Sequence, residues 1–185
     1  FPWRGIALAV HGARLVNLVF GALTVVFTFL LAREVFRERK SLAVFAAAVV
    51  AFNPQFLFIS SVVSNDAATS AFATMTLWLL VQGLRRGYTV QRVMALGGTT
   101  GLAALSKVSA LALIPLSLVS IGLQVWLMGD RSDLAKPDQS VDNRVARFVL
   151  LSSVVVTTVL VVSGSWYLRN GLRYGDPFGL QTHLQ

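Results

Sequence analysis

Long apolar stretches alternate with short polar segments along most of the chain. The predicted spans are 15–32, 41–64, 66–82, 93–106, 108–127 and 148–164. A helix needs about 20 apolar residues to cross the roughly 30 Å hydrocarbon core of a bilayer. The pattern therefore predicts an all-α protein, a polytopic bundle of about six transmembrane helices.

Three local signals interrupt or mark these spans. Pro54 removes a backbone donor and predicts a kink in the second span. Lys107 divides the apolar run 93–127, and two helices turning at this residue are favoured over one helix with a lysine in mid-membrane. Gly97 and Gly101 have the spacing that allows another helix to approach closely. The polar segment 128–147 predicts a solvated loop.

Composition supports a membrane protein. The chain of 185 residues is 55% hydrophobic and 13% charged, with a mean hydropathy of +0.69. Soluble domains carry about 25% charged residues. The chain contains no cysteine, which excludes disulfides, a thiolate nucleophile and a zinc–thiolate site within it.

The net charge of +8 has an ordinary explanation in membrane topology. Basic residues flank the apolar spans, so nucleic-acid binding is not expected. Alternating the spans places eleven of the sixteen basic residues on one side: Arg33, Arg37, Arg39, Lys40, Arg85, Arg86, Arg92, Arg131, Lys136, Arg144 and Arg147. The other side holds Arg4, Arg14, Lys107, Arg169 and Arg173. The positive-inside rule predicts that the first side is cytoplasmic.

The chain starts at Phe1 and shows no signal-peptide pattern. We expect residues 1–185 to form one transmembrane domain that is a fragment of a longer protein. The predicted location is a membrane, with the bacterial plasma membrane as the commoner setting.

Four polar-rich stretches carry a family resemblance. They are RLVN running to LAREVF, AFNPQFLFISSVVSNDA, GLAALSKVSALALIPL and GSWYLRNGLRYGDPFG. In this order the chain resembles the GT-C glycosyltransferases, especially the glycosyltransferase family 39 type that includes protein O-mannosyltransferases and lipid A aminoarabinose transferases. The resemblance implies a sugar donor linked to polyprenyl phosphate and an acceptor at the extracytoplasmic face. It also implies catalytic acids in a loop upstream of Phe1, so no catalytic residue is assigned in this chain.

The candidate substrate-binding residues lie on the predicted outer face. They are Arg14, Asn65, Asp66, Lys107, Arg169, Arg173 and Asp176. Asp66 can bind a divalent metal or the sugar, orient an acceptor, or simply cap the third span. Lys107 can bind the donor phosphate or extend to the membrane interface.

The arginines and aromatic residues have competing explanations. Arg14, Arg169 and Arg173 can hold a phosphate or anchor to lipid headgroups. The aromatic residues Trp166, Tyr167 and Tyr174 can stack on a sugar, but an aromatic belt at the membrane interface is favoured. His11 and His183 lack a ligand pattern, so no metal site is assigned.

Two other function classes are compatible with the scaffold. A non-catalytic transmembrane subunit would pack against a larger assembly through faces such as Gly97 to Gly101. A transporter is less favoured because the spans 15–32, 66–82 and 148–164 lack buried ionisable residues. The expected partners are membrane lipid, the polyprenyl-phosphate sugar donor and, for the second class, other transmembrane subunits.

Overall fold

The computed structural model describes residues 5–128 and 141–178, and within them the chain is helical without a strand. The elements are α1 (Ile6–Val35), α2 (Lys40–Ala51), α3 (Pro54–Ser61), α4 (Asp66–Arg86), α5 (Val90–Ser106), a 3-10 turn (Val108–Ala112), α6 (Leu113–Leu123), a π-helical turn (Gln124–Met128) and α7 (Val141–Tyr174). The all-α prediction is confirmed. Predictions about Arg4, Arg131, Lys136 and His183 fall outside the described residues.

Four described helical segments are long and apolar enough to cross a membrane. They are Ile6–Val35, Asp66–Arg86, Val108–Leu127 and Val141–Tyr174. Helices α2 and α3, bent by 59°, make a fifth if they form one broken span. The remaining predicted span, 93–106, lies in α5, whose 17 residues give a length of about 26 Å. The structure thus supports four to five spans, and the count of about six is not confirmed.

Helix α7 corrects the prediction of a loop over residues 128–147. It begins at Val141 and ends at Tyr174, so residues 141–147 are helical. Its 34 residues span about 51 Å, more than the hydrocarbon core, so polar residues at its ends belong to the same helix as the apolar middle. Asp142 in the first turn suits the positive end of the helix dipole.

The chain divides into two compact units, Phe1–Gln82 and Gly83–Gln185. In unit 1, α1 packs against α2 and α3. Phe20 and Phe27 of α1 contact Phe72 and Trp78 of α4, with ring centroids 5.5 and 5.6 Å apart. These aromatic pairs join the first and last helices of the unit.

The bend between α2 and α3 follows from its local sequence. Pro54 occupies the first turn of α3, where its missing N–H costs nothing. The side-chain oxygen of Asn53 accepts a hydrogen bond from the Phe56 amide at 3.1 Å and caps the helix. The predicted kink is confirmed.

In unit 2, α5 packs along α7 through its glycines. A methyl group at Gly97 would lie 2.7 Å from the Thr158 side chain and 2.9 Å from the Val155 carbonyl oxygen. At Gly101 it would lie 2.9 Å from the Val162 side chain. The predicted close approach is confirmed, and its partner is a helix of the same chain. This face is therefore filled and does not offer a surface to another subunit.

Candidate functional site

The turn between α3 and α4 in unit 1 is held by a side chain from α1. Asn17 is buried, with 7% of its surface exposed. Its amide nitrogen donates hydrogen bonds to the carbonyl oxygens of Val62 and of Ser64, the latter at 2.9 Å. An amide in an apolar helix is costly unless it is hydrogen-bonded. Asn17 meets this requirement by binding the backbone that precedes α4.

This turn presents the candidates Asn65 and Asp66. The Ser64 hydroxyl donates to the Asp66 carboxylate at 3.0 Å and accepts from the Asp66 amide at 3.1 Å. The Asn65 carbonyl accepts the Thr69 amide at 3.0 Å and so starts the helical pattern. Asp66 is the first residue of α4, the position at which the predicted span 66–82 begins. Its carboxylate is half-buried, and the Asn65 side chain is exposed.

Arg14 lies one turn before Asn17 on α1. Its side chain is exposed and forms no hydrogen bond or ion pair with another described residue. A guanidinium in this state is available to a phosphate, whether of a substrate or of a lipid headgroup.

Lys107 marks the break between α5 and the 3-10 turn in unit 2. Its backbone is extended, with φ −155° and ψ 132°. Its amide donates to Ala103 at 2.9 Å, and its carbonyl accepts from Ala110 at 3.0 Å. The predicted turn at Lys107 is confirmed, and the lysine side chain is exposed there.

Tyr167 of α7 binds the backbone next to this break. Its hydroxyl donates to the Ala104 carbonyl at 2.8 Å, and Ala104 belongs to the last turn of α5, where carbonyls lack helical partners. The Tyr167 ring contacts Phe178 with centroids 5.9 Å apart. Sequence reasoning assigned this tyrosine to the aromatic belt, an interpretation that suits the exposed Trp166 and Tyr174 better.

The segment after α7 forms a turn at Gly175, Asp176 and Pro177. Gly175 has a φ of +67°, a conformation that glycine adopts without strain. Asp176 accepts a hydrogen bond from the Phe178 amide at 3.0 Å. This candidate therefore shapes the turn with one of its carboxylate oxygens.

Arg169 and Arg173 lie four residues apart on α7, on one face of the helix. Both side chains are exposed, and neither forms a hydrogen bond or ion pair with another described residue. Together they offer two guanidinium groups close to the C-terminal end of α7.

An apolar groove of about 440 Å³ lies in unit 2 beside α7. Its lining residues are Leu111, Ile114, Val159, Leu160, Ser163, Gly164, Tyr167, Leu168, Gly171, Leu172 and Pro177. The two hydroxyl groups among them are already hydrogen-bonded, that of Ser163 to Val159 at 2.8 Å and that of Tyr167 to Ala104. The groove therefore offers an apolar surface. Its lining includes Leu111, in the 3-10 turn that follows Lys107, and Tyr167, whose hydroxyl binds the Ala104 carbonyl in the last turn of α5.

The described residues do not fit a divalent metal. No group of three or more histidine, cysteine, aspartate or glutamate side chains is gathered within residues 5–128 and 141–178. Asp66 is engaged with Ser64, and the His11 ring pairs with the Ala7 carbonyl at 2.7 Å.

The helices and the apolar spans define the class of protein, an all-α integral membrane protein with several membrane-crossing helices. Within this class, a match to a family model identifies the family. The chain belongs to the dolichyl-phosphate-mannose-protein mannosyltransferase family, whose model matches residues 9–166. Neither the curated proteins nor the solved structures contain a match to the chain. Membership of this family indicates a membrane glycosyltransferase supplied by a sugar on a polyprenyl phosphate.

Proposed function

We propose that the protein transfers a sugar from a polyprenyl phosphate to an acceptor at the extracytoplasmic face, as glycosyltransferases of the GT-C type and family 39 do. The family's description names mannose on dolichyl phosphate and a protein acceptor, and this donor class is the one we adopt. The charge bias of the sequence supports our assignment of transfer to the extracytoplasmic side. The bacterial plasma membrane stays a prediction.

The apolar groove lined in part by Leu111, in the 3-10 turn that follows Lys107, is the observation that carries this proposal. An isoprenoid chain is apolar and flexible, so it suits a groove lined by aliphatic side chains. The donor also carries a phosphate at the end of that chain. The exposed ammonium of Lys107, four residues before Leu111 of the groove, offers the opposite charge.

Transfer requires the bond between the anomeric carbon and the phosphate oxygen to break. The acceptor hydroxyl attacks the anomeric carbon, its proton passes to a carboxylate, and the polyprenyl phosphate leaves as an anion. We assign that carboxylate to no residue of this chain. Within this chain, Lys107 stabilises the negative charge that grows on the leaving phosphate. Arg169 and Arg173 contribute further positive charge in unit 2.

Asn65 and Asp66 are proposed to bind the sugar or the acceptor. Both have hydrogen-bonding groups at the start of α4, and the Asn65 side chain is exposed. A carboxylate and an amide are groups that can bind sugar hydroxyls. Arg14 remains a candidate for phosphate in unit 1.

The role of Lys107 is tested in the full-length protein with Lys107→Ala, using Lys40→Ala as the matched control because Lys40 is also exposed. We expect Lys107→Ala to reduce sugar transfer at least tenfold while the amount of inserted protein is unchanged. Lys107→Arg should keep part of the activity because it keeps the charge. Unaltered transfer by Lys107→Ala would contradict the phosphate role.

The groove is tested separately with Gly164→Leu. A methyl group at Gly164 meets only Leu160, at 3.8 Å, so a larger side chain fits and fills the groove. The expected result is a higher KM for a long-chain donor and a smaller change for a short-chain donor. Gly98→Leu is the control because Gly98 has open space around it. Equal KM values for both donors would contradict isoprenoid binding in the groove.

The alternative of a non-catalytic transmembrane subunit loses the surface named for it, because α7 fills the face of Gly97 and Gly101. It makes a different prediction for the purified full-length protein. Co-purification with other membrane proteins in fixed stoichiometry, without transfer from any polyprenyl-phosphate sugar, would favour the subunit over the enzyme.

A further inference from the structure

We infer that Asn17 is a positioning residue, which sets the direction of Asn65 and Asp66 by holding the turn before α4. This inference rests on the proposed function, because it assumes that these two residues contact the sugar or the acceptor. Asn17 itself is buried and is not proposed to contact either.

The position of Asn17 is unusual for its chemistry. It lies inside α1, a helix of 30 residues whose neighbouring positions are apolar. A hydrophobic residue there would avoid the cost of desolvating an amide. Polar side chains within membrane spans are costly and commonly mark functional positions. The structure gives this amide a specific pair of partners far along the chain.

Those partners are backbone groups of the short connection between α3 and α4. The connection consists of residues 62–65, and Asn17 binds two of its four carbonyls, those of Val62 and Ser64. Val62 is extended, with φ −97° and ψ 162°, so the helix cannot continue through it. A side chain from another helix therefore fixes much of the path from α3 to α4.

Ser64 connects Asn17 to the candidate residues. Its carbonyl accepts from Asn17 at 2.9 Å, and its hydroxyl donates to the Asp66 carboxylate at 3.0 Å. A shift of Ser64 would therefore move the carboxylate of Asp66 and the adjacent Asn65. A small displacement of a substrate-binding group is enough to reduce transfer strongly, so loss of the Asn17 amide should lower the rate of sugar transfer.

The conformation of the turn can be measured without activity. The 185 residues contain no cysteine, so Val63→Cys introduces a unique thiol at a side chain that is 59% exposed. Any cysteine elsewhere in the full-length protein is replaced by serine. We expect Asn17→Ala to change the labelling rate of this thiol by a water-soluble maleimide at least threefold.

Thr24→Val is the matched control for labelling. Thr24 is also a buried polar residue of α1, but its hydroxyl binds Phe20 of its own helix at 3.0 Å. This variant should leave the labelling rate unchanged. An unchanged rate in Asn17→Ala would overturn the inference, whether or not the protein proves to be a transferase.

A double-mutant cycle with Asp66→Asn tests the consequence for transfer. We expect Asn17→Ala and Asp66→Asn each to lower kcat about tenfold or more. The kcat of the double variant should be no more than twofold below that of the single variant with the lower kcat. A merely structural role would lower the amount of folded protein and leave the kcat of the remaining protein unchanged. Multiplicative losses would overturn the inference.

Asn17→Gln provides a second variant if Asn17→Ala does not accumulate in the membrane. It keeps an amide donor on a side chain one methylene longer, so both the labelling rate and kcat should lie closer to the wild-type values than those of Asn17→Asp, which lacks the donor. Equal behaviour of the Gln and Asp variants would contradict a role for the donated hydrogen bonds. If the wild-type protein transfers no sugar but the labelling results are as expected, only the proposed function fails.

Discussion

Two breaks in the helical structure, one in each unit, are held in related ways. In unit 1, the amide of Asn17 binds two carbonyls of the turn that leads into α4. In unit 2, the hydroxyl of Tyr167 binds one carbonyl in the last turn of α5, beside Lys107. In both cases a side chain from a long helix supplies a donor to backbone that has lost its helical partners.

The difference between the breaks lies in the donor. An amide has two N–H groups and lies deep in α1, whereas a phenol has one O–H and lies near the end of α7. The two hydrogen bonds of Asn17 fix a longer piece of backbone than the single bond of Tyr167, so their loss should lower the free energy of unfolding more. We therefore expect unit 1 to depend more on its single side chain than unit 2 does.

Of the substitutions at the two breaks, Asn17→Leu is expected to have the larger effect on stability. Two half-buried carbonyls lose their donor, and hydrogen bonds in membrane proteins are worth about 0.6 to 2 kcal/mol each, so the free energy of unfolding should fall by about 2 kcal/mol. Unfolding in mixed micelles with increasing SDS measures the change. Thr24→Val, which breaks a bond within one helix, should cost clearly less. Equal losses would contradict the special role of the turn.

The two units also differ in what a methyl group added to a buried glycine would contact. At Gly97 a methyl group would meet a backbone oxygen, Val155 O, at 2.9 Å, but at Gly21 it would meet the movable Ser60 hydroxyl at 2.8 Å. Gly97→Ala should therefore cost about 2 kcal/mol, as overpacked sites do, and Gly21→Ala about 1 kcal/mol.

Gly98→Ala is the control for these glycine substitutions. Nothing lies within 4 Å of a methyl group at Gly98, so the same SDS titration should give no loss of stability. A loss in Gly98→Ala equal to that in Gly97→Ala would mean that the contacts with Thr158 and Val155 are not the cause, because alanine has the higher helix propensity and by itself would stabilise α5.

Alkaline pH should destabilise unit 2 through Tyr88, which lies in the turn between α4 and α5. Burial raises the pKa of Tyr88 from 10.0 to about 12, although the hydrogen bond with Ser120 partly lowers it. The folded state thus holds the phenol proton more tightly than the unfolded state. Stability is complete below pH 10 and is lost as the pH rises from 10 to 12, by about 1.4 kcal/mol per pH unit.

Tyr88→Phe is the control for this pH dependence. It removes the titrating group, so the slope assigned to Tyr88 should disappear from unfolding curves measured at pH 9 to 11. All three tyrosines of the chain lie in unit 2, so unit 1 has no comparable group. An identical slope in Tyr88→Phe would contradict the assignment.

Of the substitutions at the two breaks, Tyr167→Phe is expected to have the smaller effect on stability. One hydrogen bond to Ala104 is lost and the ring stays, so the cost should be about 1 kcal/mol in the same SDS titration. Tyr174→Phe is the control because Tyr174 is 72% exposed. A cost for Tyr167→Phe as large as that for Asn17→Leu would remove the distinction between the two breaks.

Local signals predicted the breaks but not what holds them. Pro54 predicts the bend before α3, and the cost of placing a lysine within an apolar run predicts the break at Lys107. Asn17 and Tyr167 were not identified as holding residues because their partners are backbone carbonyls at least 45 residues away. The one available signal was an amide within an apolar span. The start of α7 was missed because charged residues of a helix that extends beyond the membrane resemble those of a loop.

By itself, the sequence determined that the chain is helical and crosses a membrane, since partition of apolar residues into lipid depends on composition over about 20 successive positions. It also located the bends and placed Asp66 near the start of α4, because these depend on neighbouring residues. Only the tertiary structure decided that α7 fills the glycine face of α5, that an apolar groove lies beside α7, and that Asn17 holds the turn before Asp66. Each of these depends on groups distant in sequence, whose meeting is set by the packing of whole helices.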